Sequence, residues 1–378
     1  MSQDFIRQLN EGVEKKRNSL WRKLRIDPPL LLALVALGGL GLMVLFSASG
    51  ENRAEVQRQA VTMLIGFMVM FLVAQLNVQF FRRWAPSMYT AGLGLLVIVL
   101  FFGVEANGAK AWLDLPGLPS FQPAELLKFV LPMLLAWYLG SRPLPPGFKH
   151  IFWSGVMILV PAALIVLQND TGTALMVAMS GIFVLLLAGI RWRLVIAGVV
   201  AMLVASPAWF LFVAQEHQKD RILTFFDPYR DPTGAGYNII QSQIAIGSGG
   251  VYGKGWLNGA QSRLDFIPES NTDFILAVLA EEFGLAGIML LMFLYLVVLA
   301  RGLYISLNAR DMFARLLAGS ITLTFFFYIF VNMAMVTGLM PVVGLPLPLV
   351  SRGGTAVVTL FIGFGILMGI HTQKRSLT

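Results

Sequence analysis

Long apolar runs dominate this chain, and short polar segments interrupt them at nearly regular intervals. A run of about 20 apolar residues makes a helix roughly 30 Å long, the thickness of a bilayer's hydrocarbon core. By that rule spans are expected at about 29–48, 57–76, 85–104, 122–140, 150–168, 171–190, 193–215, 273–300, 312–337 and 353–371. The expected fold class is all-α: a polytopic membrane protein with about ten transmembrane helices and a large extracytoplasmic loop between spans seven and eight. The junction at Asn169 to Gly172 is the tightest, because two spans must reverse there within a few residues. The first run is too long and too far from the N-terminus for a cleaved signal sequence, so it is expected to remain as a span.

Composition agrees with the pattern. Hydrophobic residues make up 57% of the chain and charged residues 13%, which excludes an ordinary water-soluble globule. There is no Cys, hence no disulfide framework and no thiolate metal site. His150, His217 and His371 lie far apart near predicted borders or loops, which disfavours a His-based zinc centre. A net charge of +8 could suggest nucleic acid, but its distribution argues otherwise. Lys15, Lys16, Arg17, Arg22, Lys23 and Arg25 in the N-tail, then Arg82, Arg83, Arg142, Lys149, Arg191, Arg193, Arg301, Arg310, Arg315, Lys374 and Arg375, all fall on one side of the ten spans. Positive charge marks the cytoplasmic side, so both termini are expected there. The expected division is a cytoplasmic tail over 1–28, a membrane domain over 29–371 containing the external loop 216–272, and a cytoplasmic tail over 372–378.

Candidate chemistry gathers at the opposite borders. The stretch FIPESNTDFILAVLAEEFG runs from a polar segment straight into a span. Thr272 reads as an N-cap, which would put Asp273 in the first helical turn, where the helix dipole lowers a carboxyl pKa. Glu281 and Glu282 lie deeper in the same run and need a polar cavity or a cation. Glu125 and Lys128 follow Pro123 at i and i+3 on one helix face, either a structural ion pair or part of a site. Asp170 reads as a helix cap or a substrate contact. Within the long loop, residues Asn238 to Ile246 suggest a short amphipathic or re-entrant helix, and Gly247 to Gly255 a glycine-rich turn whose phosphate signal is weak. The last external loop, Gly338 to Gly354, is crowded with Pro and Gly and must cap the bundle or line a cavity. It ends in Ser351 and Arg352, the latter suited to pyrophosphate or to snorkelling toward headgroups. No Walker, dinucleotide or Cys/His metal motif is present. Two classes remain: an ion-coupled transporter using the acids as a relay, or a membrane transferase using one carboxylate as general base.

Several motifs in fixed order then carry a resemblance. TDFILAVLAEEFG, SFQPAELLKF, NDTGTAL, DPTGAGYNIIQSQIAIGSGGVYGKGW and GLPLPLVSRGG together resemble the SEDS family of shape, elongation, division and sporulation proteins, over essentially all of the chain beyond the N-tail. The long loop and short C-tail are more similar to its rod-shape branch than to its division branch. The resemblance implies a peptidoglycan glycosyltransferase of the bacterial inner (plasma) membrane that polymerises lipid II during elongation. It also implies a class B penicillin-binding transpeptidase and other elongation-complex membrane proteins as partners. The family's essential aspartate falls on Asp273, its paired acid and base on Glu125 and Lys128, and its border acid on Asp170. Arg221, Gln243, Lys254, Ser351 and Arg352 complete the expected substrate-binding set, with no residue expected as a metal ligand. The leaving pyrophosphate's charge would be offset by Lys128, Arg221, Lys254, Arg352 or a divalent cation such as Mg or Mn. Ala111, Asn169 and Arg352 depart from the family pattern, where Arg, Pro and Tyr respectively are frequent. The alternatives are a lipid II flippase, an ion-coupled transporter and a scaffold without activity.

Overall fold

The computed structural model describes residues 24–106, 108–114, 120–212, 214, 216–231, 234–259, 266, 267 and 269–372. The N-tail cations from Lys15 to Lys23, the His217 side chain, Lys374 and Arg375 lie outside the described residues. The spanning helices are α1 Pro28–Ala48, α2 Arg53–Gln75, α3 Val78–Phe102, α4 Pro123–Gly140, α5 Phe148–Leu167, α6 Thr171–Leu187 and α7 Trp192–Phe212. After the long loop, which holds α8 Glu216–Phe226 and α9 Ala235–Gly249, come α10 Ile275–Leu307, α11 Met312–Val336 and α12 Thr355–Thr372. Nine of these are long and apolar enough to cross a membrane, and α6, at 17 residues, is a shorter apolar tenth. The chain is thus a multi-pass membrane protein. Its described strands are a small hairpin of β1 Val104–Ala106 and β2 Ala109–Trp112 between α3 and α4.

Side-chain contacts define the bundle's two faces. Arg301, near the end of α10, grips Asp27 at the start of α1 through Nε at 2.7 Å and a terminal nitrogen at 3.0 Å, with His371 of α12 at 3.3 Å. Both ends of the described chain therefore share one face, the terminal face. At the other end of α1, Ser270 of the long loop donates to the Ala48 carbonyl at 3.3 Å. That end is the loop face. A 21-residue helix such as α1 separates the two by about 30 Å.

The glycine-rich turn has a structural task. Helix α10 breaks at Gly284 (φ 62°, ψ −157°), and the segment after α9 threads through the break. Lys254 N and Gly255 N donate to the carbonyls of Glu281 and Glu282 at 3.0 and 2.9 Å. Leu285 N and Ala286 N donate in turn to the carbonyls of Gly250 and Val251, each at 3.0 Å. A Cβ on Gly253 (φ 76°) would stand 2.1 Å from the Glu282 carbonyl oxygen, and one on Gly284 would stand 2.4 Å from Gly253 N. Only glycine fits at either point. The break lets a fully buried Glu281 meet Lys254 Nζ at 2.7 Å, while Glu282, also buried, accepts from the Ser47 hydroxyl.

Candidate functional site

Asp273 stands on the loop face, in a turn that three separate hydrogen bonds hold from behind. Asn332 Nδ2 of α11 donates to the Asp273 carbonyl at 2.9 Å, Ser351 Oγ to the Thr272 carbonyl at 2.5 Å, and Arg352 N to the Asn271 carbonyl at 2.9 Å. Asn332 also donates to the Leu345 carbonyl at 2.7 Å, which ties the loop between α11 and α12 to the same turn. A Cβ on Gly344 of that loop would lie 3.6 Å from Asp273 Oδ2. The backbone is thus fixed while the half-buried carboxylate has no ion-pair partner within salt-bridge distance among the described residues.

The electrostatics of Asp273 correct the expectation from sequence. Thr272 is not an N-cap: its hydroxyl donates to Glu269 Oε2 at 2.6 Å, and α10 begins at Ile275 behind Phe274, with no side-chain cap. Asp273 therefore lies before the first helical turn, and its pKa is pushed up to about 6 where a lowered value was expected. Partial burial is the main cause, the nearby Glu269 carboxylate adds to it, and Arg221 of α8 opposes it.

A second polar cluster lies inside the bundle. Lys128 Nζ meets Glu125 Oε1 at 2.5 Å, both side chains almost fully buried, and it also donates to the Tyr328 hydroxyl. Thr359 Oγ1 of α12 donates to Glu125 Oε2 at 3.2 Å, so each charge has two partners. Burial of an ion pair is tolerable only when the remaining donors and acceptors are satisfied in this way. A void of about 10 Å³ between Lys128, Tyr328 and Thr359 has room for one water, and a similar one links Tyr328 to Ser351 and Gly353. Tyr328 and Asn332 lie one turn apart on α11, so one helix face grips Lys128 with its first residue and the Asp273 turn with its second.

The remaining candidates divide by what already holds them. Asp170 caps α6, accepting from Thr173 N at 2.9 Å and from the Gln122 side chain. Lys254 pairs with Glu281, and Arg352 with Glu55 at 3.1 Å. Gln243 of α9 donates to the Thr337 carbonyl at 3.1 Å, and Ser351 is buried with its hydroxyl spent on backbone groups. Arg221 is the expected cation whose charge acts on Asp273. Ala111 is buried in β2, and its neighbour Lys110 donates to the Phe101 carbonyl at 3.1 Å. Asn169 has φ 64°, which a proline ring cannot adopt. Tyr328, Asn332, Gln122 and Thr359 escaped the sequence reading. The signal available for the first two was a Tyr and an Asn four residues apart in the otherwise apolar run FFFYIFVNMAMV. Among the described residues no group of three or more His, Cys, Asp or Glu is placed to hold a metal ion.

A helical membrane bundle with a half-buried carboxylate on its loop face and a buried acid–base pair behind it defines the class as a membrane protein with a polar site at one face. The family model for the cell cycle proteins FtsW, RodA and SpoVE matches residues 28–376, and the chain belongs to that family. It is 45% identical over 364 residues to the peptidoglycan glycosyltransferase MrdB of Escherichia coli (strain K12), covering 96% of this chain and 98% of that one. It is 36% identical to the probable peptidoglycan glycosyltransferase FtsW of Geobacter sulfurreducens, covering 93% of this chain and 96% of that one. Among solved structures, one described as the structural coordination of polymerization and crosslinking by a peptidoglycan synthase complex superposes with a TM-score of 0.82 at 32% identity, covering 93% of this chain and 98% of that one. The rod shape determining protein RodA of Thermus thermophilus superposes with a TM-score of 0.70 at 29% identity, covering 92% and 97% respectively.

Proposed function

We propose that Asp273 is the general base with which this chain joins lipid-linked disaccharides into glycan strands. The chain is a peptidoglycan glycosyltransferase of the rod-shape branch of its family. Its terminal face is cytoplasmic and its loop face external, in the bacterial inner membrane, with the tails 1–28 and 372–378 in the cytoplasm and the membrane domain over 29–371. Lipid II carries its reactive sugar carbon through a pyrophosphate at headgroup level, and Asp273, just ahead of α10 on the loop face, would meet it there. The carboxylate takes the proton of the acceptor's 4-hydroxyl as that oxygen attacks C1 of the donor. The C1–oxygen bond to the lipid pyrophosphate breaks with inversion, and the pyrophosphate departs as the anion.

The observation that carries this reading is the contrast within the turn: three backbone anchors hold it, while the carboxylate is uncommitted and has a pKa of about 6. A base with a pKa near the working pH is largely ionised yet still accepts a proton readily. Arg221 is assigned to the departing pyrophosphate, since Lys128, Lys254 and Arg352 are each paired with a carboxylate. Glu125, Lys128, Asp170, Gln243 and Ser351 shape and brace the site around the substrate. A divalent ion there would take most of its ligands from the substrate's phosphates and water. The partner is a class B penicillin-binding transpeptidase of the elongation complex, in keeping with the complex that its structural relative forms.

The test is polymerisation of purified lipid II by the full chain with its transpeptidase partner, resolved by product length. Asp273→Asn is expected to lower the rate by 100-fold or more, on the order of a lost general base. Polymer formation at the wild-type rate by a folded Asp273→Asn chain would sink the assignment. Loss of lipid II movement across vesicles lacking any acceptor would favour a flippase instead.

A further inference from the structure

A cavity at the terminal face takes no part in the chemistry above. It has a volume of about 260 Å³ and is lined by Arg25, Asn77, Gln79, Arg310, Asp311 and Ile370, among others. We infer that this cavity binds the phosphate of an anionic phospholipid from the leaflet on the terminal face.

Charge is the first argument. Arg25 is pinned at the rim, one guanidinium nitrogen donating to the carbonyls of Gln75 at 2.6 Å and Leu76 at 3.2 Å, and it has no carboxylate partner among the described residues. Arg310 has no hydrogen-bonded or ion-paired partner among the described residues and is exposed at the opening. The one acid in the lining is already occupied. Asp311 caps α11 through Ala314 N at 2.9 Å, and Arg82 stands 4.0 Å from its other oxygen. Three guanidinium groups thus meet one carboxylate, and α3 and α11 both begin here, adding the positive ends of two helix dipoles. An anion with several acceptor oxygens satisfies that set, and phosphate matches the guanidinium fork.

The surroundings select the source of the phosphate. Phe80 and Trp84, four residues apart on α3, lead away from the cavity with exposures of 37% and 47%, and Leu76, at the junction of α2 and α3, is 37% exposed. The Phe80 and Trp84 ring centroids are 6.2 Å apart. An exposed apolar strip ending in Trp beside a basic pocket at a span border is a bed for an acyl chain below a headgroup. A soluble phosphate compound would leave that strip unused. A zwitterionic lipid would bring its own cation against Arg25 and Arg310.

The site lies about 30 Å from Asp273, so it stands or falls apart from the catalytic assignment. The test uses the delipidated full chain in detergent, with phosphatidylglycerol, phosphatidylcholine and inorganic phosphate as probes in native mass spectrometry. Phosphatidylglycerol should be retained in preference to phosphatidylcholine. Arg310→Gln should weaken its binding about 5-fold and the Arg25→Gln, Arg310→Gln pair about 25-fold, at roughly a factor of five per surface cation. Arg193→Gln, an exposed cation elsewhere on the chain, should change nothing. Because Arg310 has no partner to lose, its variant should keep the wild-type unfolding midpoint, which separates lost binding from lost fold. Unchanged phosphatidylglycerol binding in Arg310→Gln, or equal retention of phosphatidylcholine, would overturn the site. Displacement of the lipid by inorganic phosphate would assign the cavity to a soluble anion and overturn the lipid.

Discussion

Asp27 and Asp273 occupy equivalent places in the chain, each just ahead of a spanning helix, yet they have opposite fates. Asp27 is fully buried and gripped by two nitrogens of Arg301, a carboxylate with nothing left to give. Asp273 is half-buried, with its backbone fixed and its carboxylate uncommitted. If Asp273 is the proposed base, what separates a fastening from a reagent is whether the surrounding structure spends the side chain or only the backbone.

The sharpest way to break this comparison is to neutralise each acid. Asp273→Asn should abolish most polymerisation with little loss of fold, whereas Asp27→Asn should keep turnover within a few-fold. The latter should cost about 3 kcal/mol of stability, the usual result of leaving one partner of a buried ion pair unpaired. Polymerisation assays beside denaturation in detergent separate the two, and a fall in rate of similar size for both would erase the distinction.

The Glu125–Lys128 pair is intermediate, buried like Asp27 but adjoining the site through Tyr328. Glu125→Gln or Lys128→Met alone should destabilise by about 3 kcal/mol, since each leaves an uncompensated buried charge. The double variant should recover much of that stability. If rate returns together with stability, the pair is a fastening. A stable double variant that fails to polymerise would make it part of the reaction.

Sequence could reach those features whose partners are near in the chain. Glu125 and Lys128 at i and i+3, Asp170 ahead of a tight helix start and ten apolar runs are all local patterns, and each is present in the structure. Local rules failed where the third dimension decides. Thr272 and Asp273 looked like a helix start, but the chain stays in a turn through Phe274 because Asn332, Ser351 and Arg352 capture its backbone from 59 to 81 positions away. Arg301 looked like a span's end, yet α10 runs on to Leu307 because Asp27 neutralises that charge. The loop helix is Ala235–Gly249, longer at both ends than the nine residues its amphipathic pattern suggested, and it stops where Gly249 packs against the Ala280 backbone. The glycine-rich turn looked like a loop in its own right, while its purpose depends on a break in α10 some thirty residues later. Gly284→Ala should accordingly be severe for a surface-sized change, with a loss of more than about 2 kcal/mol from a strained φ and a backbone clash. A thermal midpoint equal to wild type would show that the break can close without the glycine.

The pH profile offers a finer probe of Asp273. With a pKa of about 6, the rate should level off above pH 7 and fall about tenfold per unit well below pH 6 as the base becomes protonated. Glu269→Gln removes a repelling charge and should move the midpoint down, while Arg221→Gln removes an attracting one and should move it up. Two shifts of opposite sign tie the profile to this carboxylate. A profile that neither substitution moves belongs to another group.

The smallest expected effect is on stability, and its sign carries the comparison furthest. The folded chain holds the Asp273 proton more tightly than an unfolded chain would, so above pH 6 the ionised carboxylate opposes folding, and below the ordinary value of 3.8 that penalty is gone. Neutralising it should therefore stabilise the protein at pH 7, by about 1 kcal/mol once partial exposure to solvent is allowed for. Asp27→Asn should move the midpoint the other way. A reagent held in place at a cost to stability and a fastening that supplies stability are then distinguished by direction alone, in the same thermal unfolding experiment at neutral pH. If Asp273→Asn also lowered the midpoint, its carboxylate would have a stabilising partner, and the claim that the turn leaves it uncommitted would fail.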